Sequence, residues 1–169
     1  MSKTEQRELH SQLMREAGEG LGFLYGGYQL DAERAKAIPE LAPLQALFEF
    51  INGEQMLEFI RNVTGENAIV RADGQATRYT AGHYLTRHRD DPEDEHRRLA
   101  YILSLSDHWH PDWGGLLQFY EDDGTPRDAW APRFNSLSLF NVRHVHSVTY
   151  VTPFAREPRL SMTGWFQTA

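Results

Sequence analysis

The stretch YTAGHYLTRHRDDPEDEHRR, residues 79–98, opens with aromatic and β-branched residues and ends in a dense run of charge. Between the two halves sits His88-Arg89-Asp90. Side chains at i and i+2 of an extended chain point to the same side, so His88 and Asp90 are aimed into one space. An imidazole and a carboxylate placed this way form either a buried ion pair or two ligands of a metal. The choice depends on whether the rest of the chain supplies a third group. Asp91-Pro92 is expected to turn the chain away from the site, and DDPEDEHRR to run as a solvated loop.

Around this stretch the text reads as strand and turn. NAIVRA, ATRYTAG, HYLTRH, RLAYILSLS, GLLQFYE, SLSLFNV, HSVTYVTPF and RLSMTGWFQ are short, β-branched or aromatic, and separated by Gly, Pro, Asp and Asn. Asp73-Gly74 and Asp123-Gly124 carry the chemistry of hairpin turns. Short strands with no helical pattern between them predict an antiparallel double sheet or barrel over residues 66–169. Residues 1–65 read instead as a helical layer. Ser2 and Glu5 fit a capping box, followed by Leu9, Leu13 and Ala17 at spacing four until Gly18 and Gly20. Pro43 fits the first turn of a second helix with the stripe Leu44, Leu47, Phe48 and Ile51, ended by Asn52-Gly53. A third carries Met56, Phe59, Ile60 and Val63 and closes at Gly65. These stripes are packing surfaces. The fold class expected is mainly β with N-terminal helices, in one compact domain.

Composition removes several classes of function. The chain has 169 residues, 40% hydrophobic and 12% aromatic, enough for a real core. There is no cysteine, which excludes disulfides, thiolate metal sites and cysteine nucleophiles. No apolar run reaches the length of a membrane span, and the first twenty residues lack the apolar core of a signal peptide. Cytoplasmic residence and no membrane partner are the expectation. A net charge of −7 argues against a phosphate backbone as ligand, so no nucleic acid is expected.

Eight histidines compete for a role. His10 falls in the first helix, His96 in the charged loop, His83 before a strand, and His108 and His110 flank Trp109 in a Pro-containing loop. His144 and His146 lie in NVRHVHSV near the end of the β region. His88, Asp90 and one histidine of the 144/146 pair can converge if the intervening strands wind into a jelly roll, since the gap holds roughly four strands of ordinary length. Two imidazoles and a carboxylate on one face of a metal leave the other positions open, the arrangement suited to non-haem Fe(II) and oxygen chemistry. His144 and His146 would share a face in a strand, so spacing alone leaves both open. The one that does not ligate would support the other.

Arg159 opens RLSMTGWF after these histidines. A guanidinium on a strand beyond the distal ligand suits a carboxylate, which its planar fork holds through two parallel hydrogen bonds. Alternation puts Ser161 and Thr163 on the same face.

The motifs Y-x-x-G-x-Y-x-x-x-H-x-D over residues 79–90, RRLAYILSLSDHW followed by GGLLQFY, HSV and RLSMTGWF together resemble the prolyl 4-hydroxylase-like branch of the Fe(II)/2-oxoglutarate dioxygenases. The resemblance covers about residues 76 to 167, and NGEQMLEFIRNVTG resembles that branch's entry helix. Ribosomal and hypoxia-factor prolyl hydroxylases are the most similar groups. The resemblance implies a double-stranded β-helix (jelly roll) binding Fe(II) through His88, Asp90 and His146, the last favoured because His-Ser-Val matches the family's His-x-Val. It implies 2-oxoglutarate as cosubstrate, its 5-carboxylate on Arg159 with Tyr79 and Thr163 as further partners, and dioxygen; L-ascorbate is allowed as an auxiliary. Gly114-Gly115 matches the family's glycine pair. One departure stands out: where the family has a tyrosine that contacts the cosubstrate, this chain has Ser104.

The activity so implied is hydroxylation of a C–H bond with release of succinate and CO2, on a prolyl residue of a cytoplasmic, ribosomal or translational protein or peptide. A groove for such a peptide is expected between the loop after Asp90 and the loop carrying Trp109 and Trp113, whose flat rings either cap the core or offer a surface that suits a pyrrolidine. The presence of Asp90 removes the halide position a halogenase needs. Rival readings are a small-molecule or amino-acid hydroxylase, a nucleic-acid demethylase, a zinc hydrolase, and a non-enzymatic metal-binding jelly-roll sensor.

Overall fold

A computed structural model describes residues 2–30, 38–90 and 96–169. Helix α1 spans Lys3–Gly18 and starts with the expected capping box: Glu5 N–H donates to Ser2 Oγ at 3.3 Å, and Ser2 N–H to Glu5 Oε2 at 2.6 Å. It buries no residue, and Tyr84 Oη donates to its Leu13 carbonyl at 2.9 Å. Helices α2 (Ala42–Ile51) and α3 (Glu54–Thr64) follow, α2 preceded by a 3-10 turn and α3 ended by Gly65 at φ 77°. Their apolar stripes press Ile51, Leu57 and Ile60 onto Leu99, Tyr101, Met162 and Phe166 of a sheet and onto Ile69 in the segment that leads into it.

Two sheets make the body. Strands β1 (Phe23–Leu24), β5 (Tyr84–His88), β10 (His146–Val148), β7 (Leu117–Tyr120) and β8 (Pro126–Trp130) line up in that order. The second sheet runs β2 (Gly26–Gln29), β4 (Gln75–Tyr79), β11 (Arg159–Gln167), β6 (Arg97–Ser104) and β9 (Ser136–Asn141), with β3 (Arg71–Ala72) on the far end of β11. All pairings among the described residues are antiparallel, as expected. Alternation sets the faces: Leu99 and Tyr101 of β6 meet the helices, while Ala100 and Ile102 turn inward toward Leu117, Phe119 and Phe140.

Three features differ from the sequence reading. The region read as a helical layer contains β1 and β2; the chain steps from one sheet to the other at Tyr25, pairing with β5 and then β4. Strand β8 was not expected, and it pairs with β7 across the Asp123-Gly124 turn, a hairpin as read. Asp73-Gly74 is not a hairpin turn, because β3 and β4 both pair with β11 and not with each other. There the chain crosses over Gly164, whose absent Cβ would lie 2.3 Å from the Asp73 carbonyl oxygen. Asp73 Oδ1 accepts from Trp165 N–H at 2.7 Å and Oδ2 from Gln167 Nε2 at 2.9 Å, which pins the crossing. The turn expected at Asp91-Pro92 and most of the acidic loop lie outside the described residues.

Candidate active site

The inner faces of the two sheets enclose a cavity of about 280 Å³. On the five-stranded side, β5 delivers His88 and its end delivers Asp90, while β10 begins with His146 directly opposite His88 in the ladder. His88 Nε2 is 3.3 Å from Asp90 Oδ1, and His146 Nε2 is 3.5 Å from Asp90 Oδ2. One ligand atom from each of the three groups lies within 4.8 Å of the others. His88 Nδ1 sits 2.9 Å from the Thr86 carbonyl oxygen and His146 Nδ1 3.0 Å from that of His144. A carbonyl oxygen only accepts, so each Nδ1 carries the proton and each Nε2 offers a lone pair to the shared space. That donor set, two neutral nitrogens and a carboxylate, fits a divalent iron.

Electrostatics favour an ionised Asp90 and a neutral His146. Burial works against the charge of Asp90, yet the hydrogen bond from His88 and the field of His146 outweigh it and hold the carboxyl below its ordinary pKa. Burial pushes the His146 pKa down although Asp90 pulls the other way, which keeps the imidazole neutral. For His88 burial is likewise unfavourable to charge, but Asp90 and the Thr86 carbonyl prevail and raise its pKa. His144 does not share this face. It lies in the bend before β10, exposed, and contributes to the site through its backbone carbonyl.

The facing sheet supplies a cation. Arg159 is 2% exposed, opposite Tyr79 in the ladder, with its guanidinium carbon 5.2 Å from the Tyr79 ring centroid. Arg159 Nη1 donates to Ser161 Oγ at 3.4 Å, and its Nε has no partner. Burial lowers its pKa, and no carboxylate among the described residues sits beside it. A buried guanidinium without a counter-ion is costly, so the arrangement fits an anion entering from the cavity. Thr163 and Tyr79 line that cavity together with His88, Asp90, His146 and Arg159. All six side chains singled out in the sequence therefore meet in one space.

Further lining residues were not singled out. Tyr25 stacks on Tyr79 at 4.8 Å, and Phe23, 57% exposed, stands at 5.2 Å from Tyr25. The glycines around them hide any periodicity. Trp165 was legible by alternation from Arg159; Arg97 covers its ring at 3.7 Å.

The loop tryptophans are not the groove expected of them. Trp109 is buried, donates to the Gly114 carbonyl oxygen at 3.0 Å, and packs edge-on with Trp113 at 5.2 Å; neither lines the cavity. Gly114 and Gly115, at φ 70° and 63°, thread this loop beneath β10's continuation. A Cβ on Gly114 would lie 2.1 Å from the Tyr150 carbonyl oxygen.

Residues 74–167 match the family described as the 2OG-Fe(II) oxygenase superfamily. The chain is 34% identical over 120 residues to prolyl 3-hydroxylase OGFOD1 of Xenopus laevis, covering 67% of this chain and 23% of that protein. Against the mouse OGFOD1 prolyl 3-hydroxylase it is 30% identical over 166 residues, covering 94% of this chain and 29% of that protein. The chain thus spans only 23% to 29% of the length of these relatives. A Pseudomonas putida prolyl-4-hydroxylase has the same fold, with a TM-score of 0.66 at 23% identity over 96% of this chain and 85% of that one. A Trichoplax adhaerens prolyl hydroxylase, solved with a hypoxia inducible factor peptide fragment, gives a TM-score of 0.55 at 21% identity over 99% and 80%. The fold is the double-stranded β-helix, and the family works with Fe(II), 2-oxoglutarate and dioxygen. With the domain match spanning more than half of the chain and including His88, Asp90, His146 and Arg159, this chain belongs to the 2OG-Fe(II) oxygenase superfamily.

Proposed function

We propose that the chain hydroxylates a prolyl residue of a cytoplasmic protein or peptide, holding Fe(II) through His88, Asp90 and His146. The observation that carries the reading is a single cavity joining those three groups to the unmatched guanidinium of Arg159. Arg159, with Tyr79 and Thr163, grips the 5-carboxylate of 2-oxoglutarate by charge-assisted hydrogen bonds. Bound iron supplies the oxidative step, with succinate and CO2 as co-products. The backbone carbonyls of Thr86 and His144 keep both imidazoles in the ligating tautomer, and Val148, Leu117 and Phe140 keep the cavity dry.

A peptide is favoured over a free amino acid by the cavity's chemistry. Among the described residues its charged lining groups are Arg159 and the three metal-site groups, with no further cation or anion to grip a zwitterion. Aromatic Phe23 and Tyr25 suit a neutral pyrrolidine instead. The named similarity to prolyl 3-hydroxylases makes C3 the first position to examine. The test incubates candidate proteins with iron-loaded enzyme, 2-oxoglutarate and oxygen and searches by mass spectrometry for an oxygen gained on proline. Oxidation of free amino acids alone, with no peptide proline modified, removes the prolyl assignment and leaves the oxygenase.

A further inference from the structure

Strand register places a row of hydroxyls across the inner face of the six-stranded sheet. Thr77 of β4 opposes Ser161 of β11, Ser161 opposes Ser104 of β6, and Ser104 opposes Ser136 of β9. Thr77 and Ser161 bond to each other at 2.8 Å, and Ser161 also accepts from Arg159. Ser104 differs from them. It is 3% exposed, and its hydroxyl finds no protein partner, the same condition as Arg159 Nε. Both residues line a small chamber of about 10 Å³, closed by Pro132, Trp130, Ser136 and Ser138. Ile102, Leu117 and Arg159 line this chamber and the main cavity alike, so Arg159 stands between the two. A space of that size takes roughly one water-sized group, and a methylene is of that size.

We propose that Ser104 sets the length of 2-oxo diacid this chain accepts, giving the anion end room for one methylene beyond 2-oxoglutarate. The inference rests on the oxygenase reading, in which Arg159 holds the distal carboxylate. A tyrosine at 104, the family's residue, would fill the chamber and fix the carboxylate on the cavity side of Arg159. Serine leaves the depth open and supplies a hydroxyl that can donate to a carboxylate seated one methylene deeper. Ser136 and Ser138 line the same end, so the deeper position stays polar.

The experiment is calorimetric titration of the full chain loaded with Mn(II), without oxygen turnover, using 2-oxoglutarate and 2-oxoadipate. The wild-type chain is expected to bind 2-oxoadipate within about tenfold of 2-oxoglutarate. Ser104→Tyr should keep 2-oxoglutarate and weaken 2-oxoadipate by about 10–200-fold, the range for one methylene in a fitted pocket. Ser104→Ala, which keeps the room and removes the hydroxyl, should weaken 2-oxoadipate more than 2-oxoglutarate, but by less than Ser104→Tyr does. Should Ser104→Tyr not fold, Ser104→Met fills the same space and serves instead. Binding of 2-oxoglutarate with 2-oxoadipate rejected more than about a hundredfold, or a ratio that the bulky variant leaves unchanged, overturns the role of Ser104 and leaves the oxygenase intact. Binding of neither acid removes the anion site and the oxygenase reading together.

Discussion

On the five-stranded sheet, His88 Nε2 and His146 Nε2 converge on the Asp90 carboxylate at 3.3 and 3.5 Å, and backbone carbonyls accept from the remaining ring nitrogens. On the facing sheet, Arg159 is more deeply buried but has one weak hydrogen bond and an unpartnered Nε. Both walls bury charge, and only one balances it internally. The metal wall is organised before any ligand arrives, because the Thr86 and His144 carbonyls fix both of its rings. The anion wall is held by its surroundings: Tyr79 beneath the guanidinium, Tyr25 on Tyr79, Gly115 against its side chain, and Trp109 on Gly115. Substitutions should therefore separate the two walls.

The largest effect is expected at the metal wall. His88→Ala, Asp90→Ala and His146→Ala should each reduce iron-dependent turnover to background, since two remaining protein ligands hold Fe(II) poorly. Metal titration followed by differential scanning fluorimetry checks this: the stabilisation that excess metal gives the wild-type chain should vanish in each variant. A variant that still gains stability from metal and turns over would remove that residue from the ligand set.

The next effect concerns what supports the anion wall. Trp109→Ala removes a buried aromatic that touches the Gly115 turn, at a cost of about 3–5 kcal/mol of stability. It should weaken 2-oxoglutarate binding while metal affinity at 25 °C stays near wild type. Equal loss of both affinities would mean that the two walls are not separable.

Arg159 itself gives a smaller, two-sided result. Arg159→Lys keeps the charge but loses the planar fork, and the lost charge-assisted hydrogen bond is worth about 1.5–3 kcal/mol, roughly one to two decades in 2-oxoglutarate affinity. Arg159→Met removes a buried cation that lacks a protein counter-ion, so the ligand-free chain should become more stable. Each kcal/mol gained would raise its Tm by about 2–4 °C. A lower Tm for Arg159→Met would show that this wall, too, is internally balanced.

How much of this was legible in the sequence follows from the same contrast. His88, Asp90, Arg159 and Thr163 could be read because period-two alternation in a strand fixes which side chains share a face. The antiparallel double sheet was legible from β-branched segments such as RLAYILSLS. What failed had no period to read. Strands β1 and β2 are two and four residues long, with Gly26 and Gly27 diluting the pattern. Strand β8 is exposed at every position, so no alternation marks it. Asp73-Gly74 has hairpin chemistry, but β11 is long enough to pair with strands on both sides of it. Trp109 was left open between a core cap and a surface because a loop has no period; its burial depends on contacts from Gly115 and Val151, distant in the pattern if not in space.

The smallest expected effect is at His144, and it bears on the one ambiguity that alternation created. If residues 144 to 146 were extended, both histidines would point into the cavity and either could ligate. The strand begins only at His146; residue 144 lies in a bend, its ring exposed and 6.3 Å from the Phe119 ring, on a different course from the cavity. Its part in the metal wall is the carbonyl oxygen that receives the His146 Nδ1 proton, and an alanine keeps that oxygen. His144→Ala should therefore leave metal affinity and turnover within about a factor of two of wild type, as an exposed side chain away from such features changes stability by about 0.5 kcal/mol or less. Parallel titration of His144→Ala and His146→Ala decides it. A dead His144→Ala beside an active His146→Ala would exchange their roles and require a metal wall built differently from the one described.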